Sequence, residues 1–336
     1  MSRTGVEAKL PWSSVPETIR RQVAVALGAP VVRAMRIWGG YAPTPTYRLV
    51  LADGRRAFLK GTFAESNEFS RNALLFEERV YRELAAPLGS WMPRLYAGFH
   101  HDDWHILILE DLGPKSVPPW TPGRTRAITH ALAAFHLSTL AKKLPDWLPG
   151  PEEGLGGESW TRTREESCSF HHLAALAGED AQEAVQWLEM ISPLIEQLLA
   201  QPTLKQEPYA ILHGDIRSDN LRFVRGRLCL FDWPAIMVGR PEWDITAFAQ
   251  SVTVEGGPSP EQVMAWYAER FPVRAEAVDC ALAWCLTFFA DRAWRPEIPG
   301  LPRLRRFQCQ QLAVLALWAA RRWSLPSPNW ARRLLE

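Results

Sequence analysis

Asp215, Asn220 five residues on and Asp232 twelve further are oxygen-bearing side chains in a fixed order. The chemistry that needs such a set is phosphoryl transfer. One carboxylate orients an acceptor hydroxyl and accepts its proton, while an amide oxygen and a second carboxylate hold Mg2+ against nucleotide phosphates. Magnesium prefers hard oxygen ligands, which Asn and Asp supply. The plain alternative is an ordinary hairpin with solvated Asp and Asn in its turns. Against it stands the coincidence of His213-Gly214 directly before Asp215, an apolar run after Asn220 and a second apolar run ending on Asp232.

The elements that must position these groups are short. Tyr209, Ile211 and Leu212 form an apolar run into the polar loop 213–220. Leu221, Phe223 and Val224 form a second run, Arg225-Gly226 is a turn signal, and Leu228 to Phe231 form a third. The pattern predicts strand, loop, strand, turn, strand, a length of chain able to bring all three polar groups to one edge.

His213-Gly214-Asp215 with Asn220, followed by Phe231-Asp232-Trp233, resembles the aminoglycoside phosphotransferase and choline kinase family. These are small-molecule kinases of the protein-kinase-like fold. A protein kinase usually has Arg where Gly214 stands, Phe-Gly after the second Asp, and a long activation segment. Here Gly239-Arg240-Pro241-Glu242-Trp243-Asp244 arrives seven residues after Asp232, which leaves no room for that segment. The Gly-x-Pro-x-x-Asp pattern also resembles the small-molecule group. Arg240 and Pro234 depart from the acidic or polar residues often found at their positions, and neither removes a catalytic group.

The resemblance implies an α/β (α+β) bilobal protein-kinase-like fold. The expected N-terminal nucleotide-binding lobe is 1–112, with an antiparallel five-stranded sheet and one helix. The expected catalytic and substrate-binding lobe is 113–336, mainly helical and carrying the catalytic hairpin. Strands are expected at 31–38, 46–52, 55–60, 93–99 and 104–110, the second and third joined by Asp53-Gly54, a hairpin signal. Between the first two, Gly39 and Gly40 open a loop of small residues where backbone N–H groups could approach phosphates, although a plain hairpin loop fits equally.

Lys60 ends the third strand. By resemblance it reaches the α- and β-phosphates and is held by a helix carboxylate. Glu77, with Tyr81 and Leu84 following on the apolar face of a helix over 67–86, best matches that carboxylate, with Glu78 as the alternative. Glu110 and Leu112 flank the expected hinge, whose backbone would meet adenine. By the same resemblance Asp215 is the catalytic residue, Asn220 and Asp232 hold the metal, and ATP with Mg2+ are the nucleotide and ion. His136, in Leu132-Ala133-Ala134-Phe135-His136, and His213 are expected to serve as structural hydrogen-bonding residues. Arg217 has three open readings: a phosphate contact, a contact to Asp215, or a solvent-facing side chain.

The remaining features bound the function. The 336 residues suggest about two domains. Lys plus Arg is 38 and Asp plus Glu is 37, a balance that argues against a nucleic-acid partner. The longest apolar runs, near 281–290 and 312–320, are about half the roughly 20 residues needed to span a bilayer. No apolar signal core opens the sequence, so a cytoplasmic protein with no membrane partner is expected. The five cysteines are unpatterned and read as reduced thiols. Residues 145–166 read as irregular. From 150 to 190 nine acidic residues stand against two arginines, either a solvated surface or an acidic lid over a cationic substrate. Helices are expected at 124–141, 180–200, 243–251, 260–270, 275–290 and 303–323. The His100-His101-Asp102-Asp103 turn reads as solvated rather than metal-binding.

The function expected is ATP-dependent phosphorylation of a small-molecule hydroxyl. Candidate acceptors are an aminoglycoside-like antibiotic, an amino alcohol, a sugar or homoserine. The alternative is a non-catalytic nucleotide- or metabolite-binding module of the same fold. A protein kinase is disfavoured by the missing activation segment. Oligomeric state is not legible.

Overall fold

A computed structural model describes residues 9–37, 44–154, 158–166, 169–298 and 301–335. In chain order its elements are α1 (Glu17–Leu27), β1 (Val31–Arg36), β2 (Thr46–Leu51), β3 (Arg56–Thr62), α2 (Glu68–Glu83), α3 (Ala85–Leu88), β4 (Leu95–His101) and β5 (Trp104–Glu110). Then follow α4 (Pro122–Thr139), α5 (Pro151–Gly154), α6 (Glu158–Glu165), α7 (Ser169–Ala175), α8 (Ala181–Ala200), β6 (Ala210–Leu212), β7 (Leu221–Val224), β8 (Arg227–Leu230) and β9 (Met237–Gly239). The chain ends with α9 (Pro241–Val254), α10 (Pro260–Ala268), α11 (Ala275–Ala293), α12 (Leu304–Arg322) and α13 (Asn329–Arg333). Its described residues fall into two compact units. One is drawn from Met1–Ser116, Asp219–Pro234 and Ile298–Arg303, the other from Val117–Ser218, Ala235–Glu297 and Leu304–Glu336. The hairpin β7–β8 thus groups with the N-terminal sheet.

The first unit is built on an antiparallel five-stranded sheet of order β1-β2-β3-β5-β4. Strand side chains alternate between faces. Ala57 and Leu59 of β3, with Ile106 and Ile108 of β5, therefore share one face, which Ile19, Val23 and Leu27 of α1 cover. These three recur every four residues, one stripe of an α-helix. Burying each such side chain contributes roughly 1.5–3 kcal/mol. Gly28 closes α1 in the left-handed region, φ 68°, its N–H reaching the carbonyls of Ala24 and Val25. Lys60, one residue beyond Leu59, falls on the opposite face, and its partners across the sheet are Thr46 and Leu107. Its strand is bonded on both sides, so its backbone is fixed.

The second unit is mainly helical. In α9, eleven residues from Pro241 to Val252 are buried, and it packs against α10, α11 and α12. Trp243, Ile245, Phe248, Ala249 and Val252 bury apolar surface there, while the buried carboxylates Glu242 and Asp244 are held by hydrogen bonds. The first strand of the expected catalytic hairpin, β6, does not pair with β7–β8. It pairs antiparallel with β9, Ala210 opposite Gly239 and Leu212 opposite Met237. The sequence between Asp232 and Asp244 carried no period long enough to announce β9. The segment expected to be irregular, 145–166, contains α5 and α6. Its acids are engaged locally: Glu152 pairs with Lys205, and Glu153 accepts the Gly150 N–H. Further on, Asp180 pairs with Arg333, and Glu183 accepts the Asn329 N–H at 3.0 Å. That pattern favours a solvated, internally paired surface over an acidic lid. Among the described residues no helix is long and apolar enough to cross a membrane.

Candidate active site

In the first unit Lys60 Nζ donates to Glu77 Oε2 at 2.5 Å and to Asp232 Oδ1 at 2.8 Å. Two carboxylates, 17 and 172 positions from the lysine, are thus joined to it in one cluster. The Glu77 side chain is 1% exposed and Asp232 40% exposed, so one carboxylate anchors the lysine from inside and the other faces outward. Burial works against the Lys60 charge, yet the carboxylates of Asp232 and Glu77 overcome it and raise the ammonium above its ordinary value. Burial lifts the Glu77 carboxyl, an effect that Lys60 opposes and the second carboxylate, Asp232, reinforces.

The helix α2 decides between Glu77 and Glu78. Adjacent helical residues point about 100° apart. Glu77 faces Lys60, while Glu78 Oε2 meets His105 Nε2 at 2.6 Å and its Oε1 accepts from Arg82. Asn67 caps the helix, its side chain accepting the Ser70 N–H at 2.8 Å.

The hairpin fixes Asn220 and Asp232. β7 and β8 pair from Leu221–Leu230 to Val224–Arg227, turning at Arg225 and Gly226, both with positive φ. At its open end Phe231 N–H donates to the Asn220 carbonyl at 3.0 Å, and Leu230 N–H to the Trp91 carbonyl at 2.6 Å. Asn220 and Asp232 therefore flank the same end of one ladder. Asp232 has φ 69°, a left-handed conformation uncommon outside glycine and better tolerated by Asp and Asn than by most residues.

The expected hinge lies in the same unit. Glu110 ends β5 and its N–H donates to the Arg94 carbonyl at 2.9 Å. Leu112 is half-buried. Arg48 Nε donates to Asp111 Oδ1 at 2.9 Å, and both Arg48 and Arg222 reach the Gly113 carbonyl. This double arginine clamp carries no sequence motif. Gly39 and Gly40 lie outside the described residues.

In the second unit the loop bearing Asp215 is held by a buried carboxylate. Asp244, in the first turn of α9, accepts the N–H of His213 at 2.8 Å and of Gly214 at 2.9 Å. His136 Nε2 lies 3.2 Å from the same carboxylate, and its Nδ1 2.6 Å from the Tyr267 hydroxyl. Burial raises the Tyr267 hydroxyl well above its ordinary value, with Glu242 and Asp244 adding to it. Asp215 N–H donates to His213 Nδ1 at 3.3 Å, which places the His213 proton on Nε2. Gly214 has φ +81°, and a Cβ there would sit 2.1 Å from the Ala235 carbonyl oxygen. Only glycine fits this bend. Asp215 itself is 44% exposed, and Arg217 Nε lies 3.0 and 3.1 Å from its two oxygens. Arg240 is buried, donating to Glu242 and to the carbonyls of Gln206 and Glu207. Its departure from the resembled pattern is thereby a local buried ion pair.

The sequence profile of the phosphotransferase enzyme family (APH) matches residues 33–277, most of the chain and all of the residues just placed. The chain belongs to this phosphotransferase family. No curated protein matches it in sequence. Solved structures do match in fold. An aminoglycoside phosphotransferase from Alicyclobacillus acidocaldarius subsp. acidocaldarius DSM 446 is similar over 88% of this chain and 93% of its own, at 13% identity and a TM-score of 0.59. A thermostable variant of the aminoglycoside phosphotransferase APH(4)-Ia, solved with ADP and hygromycin B, covers 89% of this chain and 98% of its own, at 14% identity and a TM-score of 0.56. The amicoumacin kinase hAmiN, solved with AMP-PNP, Ca2+ and Ami, covers 89% and 93%, at 13% identity and a TM-score of 0.56. At such identities the likeness shows a shared fold, the mixed α/β architecture of kinase-like phosphotransferases.

The phosphotransferase has donors suited to a divalent cation. Asn220 offers an amide oxygen and Asp232 an outward carboxylate at the same end of the hairpin. Two carboxylates, Glu77 and Asp232, face the single ammonium of Lys60, an excess of negative charge that a hard cation would neutralise. Sequence reasoning missed the extent of the Asp244 network. Its residues lie 31 and 108 positions apart, and only the Gly-x-Pro-x-x-Asp pattern pointed at it.

Proposed function

We propose that this phosphotransferase moves the γ-phosphate of ATP, with Mg2+, to a hydroxyl of a small molecule. The observation that carries the reading is the Lys60–Glu77–Asp232 cluster. A strand lysine oriented by a helix carboxylate, beside a carboxylate at a hairpin end, is what a phosphate clamp requires. Lys60 binds the nucleotide phosphates, Glu77 orients Lys60, and Asn220 with Asp232 hold the ion. When bound, the ion neutralises charge on the phosphate oxygens.

The unit containing the five-stranded sheet is the nucleotide-binding part, with backbone at Glu110 and Leu112 meeting the base. The helical unit provides the catalytic and acceptor-binding part. Asp215 orients the acceptor hydroxyl and takes its proton, and Arg217 fixes the plane of its carboxylate. The acceptor classes consistent with the family are aminoglycoside-like antibiotics, amino alcohols, sugars and hydroxy amino acids such as homoserine.

The test is magnesium-dependent ADP release from ATP against pooled acceptors of those classes. The wild-type protein should exceed its acceptor-free rate with at least one pool. Asp215→Ala should bind nucleotide and lose about 10²–10⁴-fold of that stimulated rate. Normal turnover by Asp215→Ala, or no nucleotide binding by the wild type, would sink the reading.

A further inference from the structure

The surface leading away from Asp215 within the helical unit has a definite chemistry. Arg217, bound to Asp215, lies with its guanidinium carbon 5.6 Å from the ring centre of Phe307 on α12. Phe307 meets Phe289 of α11 with centroids 6.3 Å apart, and Phe289 meets Phe288 at 5.1 Å. All three residues are half-buried; Trp284 stacks on Phe288, 5.3 Å between centroids. Arg292 then lies over Phe288, 3.8 Å from its centre. A continuous path of rings thus starts at the proposed base and ends under a guanidinium.

The charge along this path is unbalanced. Its buried carboxylate, Asp291, is 3% exposed and closed by three guanidiniums. Arg162 reaches both of its oxygens at 2.9 Å, Arg295 one at 2.9 Å and Arg292 the other at 3.3 Å. Glu166 lies 3.5 Å from Arg295, and Arg305 donates to the Arg292 carbonyl. Among the described residues, Arg162, Arg292 and Arg295 thus close on the carboxylates of Asp291 and Glu166, with Arg305 behind Arg292. Burial lowers the Arg292 guanidinium from its ordinary value, and although Asp291 opposes this, Arg162, Arg295 and Arg305 add to it. A half-buried group of like charges is relieved by an anion. A polycation would find the buried carboxylate of Asp291 already occupied and would meet further positive charge.

We propose that this face recognises the acceptor, and that it takes a molecule with an aromatic or otherwise apolar body and an anionic group rather than a polycation. The proposal rests on Asp215 being the base of a phosphoryl transfer.

The test is titration calorimetry with three probes: 4-(hydroxymethyl)benzoate, 4-(hydroxymethyl)benzylamine and kanamycin. Wild type should bind the benzoate about tenfold or more tightly than either cation, a difference of about 1.4 kcal/mol or more. Arg292→Glu should abolish or reverse the preference between the matched benzoate and benzylamine. Arg292→Gln, which adds no charge, should abolish it and guards against misfolding of the first variant. Phe307→Ser should weaken both aromatic probes several-fold while leaving their ratio. Equal affinities, tighter binding of either cation, or no detectable benzoate binding by wild type would each overturn the proposal, as would an unchanged preference in both folded Arg292 variants. Nucleotide binding and ADP release measured on the same samples separate the two readings. Loss of these with the anion preference intact counts against phosphoryl transfer, whereas phosphorylation of kanamycin ahead of the benzoate counts against the acceptor class alone.

Discussion

Glu77 and Glu78 are adjacent, identical in chemistry and both buried, yet they belong to different networks. Glu77 holds Lys60; Glu78 holds His105 and Arg82. The pair therefore provides an internal control at the scale of single side chains. Glu77→Gln removes the charge that orients Lys60, and turnover should fall about tenfold or more. Glu78→Gln removes a carboxylate that meets His105 of β5 and pairs with Arg82 within α2. It should lower the melting temperature and leave turnover within about twofold once corrected for the folded fraction. Steady-state kinetics and thermal melts of both variants check this. Equal catalytic losses would mean that the Lys60–Glu77 contact has no special part in the reaction. Burial pushes the Cys285 thiol up to about 12, so this cysteine makes no contribution to nucleophilic chemistry near neutral pH.

Whole elements meet at Asp244. Its carboxylate ties the loop after β6 to the start of α9 and, through His136, to α4. Asp244→Ala leaves two buried N–H groups without their acceptor and should destabilise the protein by about 3–5 kcal/mol. Gly214→Ala retains that carboxylate but places a methyl against the Ala235 carbonyl and strains a positive φ, costing roughly 1–2 kcal/mol for the dihedral alone. Both should lose turnover, since the same loop carries Asp215. Denaturant melts and single-turnover assays check the pair, and an active, fully stable Asp244→Ala would refute the role assigned to the network.

These elements also mark what the sequence could say. The five strands, α2 and the long C-terminal helices were legible because their apolar periods run for several residues. The three oxygen donors were legible because their order and spacing are local. β9 is three residues long, and its partner β6 lies 27 residues away in pairing, so no period announces it. The short helices α5 and α7 hold only four and seven residues, too few for a helical stripe. The His136–Asp244 and Arg162–Asp291 contacts join residues more than 100 positions apart, a proximity that only folding creates.

At the scale of the molecule, the residues proposed for nucleotide, metal and acceptor are divided between two units. Lys60, Glu77, Asn220 and Asp232 belong to one, Asp215 to the other. The near-neutral charge, +1 overall, gives no broad field for a polyanion. The arginine-rich C-terminal segment is largely occupied: Arg321 pairs with Glu261, Arg322 with Asp279 and Arg333 with Asp180. Binding therefore depends on local constellations, and the division predicts separable defects. A ligand that binds only the native state stabilises it by about 2.7 kcal/mol at a hundredfold excess over Kd. ATP with Mg2+ should accordingly raise the melting temperature of wild type by a few degrees, and chelation of the metal should remove most of that rise. Asp232→Asn should also remove it, because the substitution takes a charge from the proposed metal site and a partner from Lys60. Asp215→Asn should keep the full rise while losing turnover, because its carboxylate belongs to the unit assigned to the acceptor. If Asp215→Asn lost the nucleotide-dependent rise as completely as Asp232→Asn, the assignment of nucleotide binding to one unit and proton acceptance to the other would be wrong.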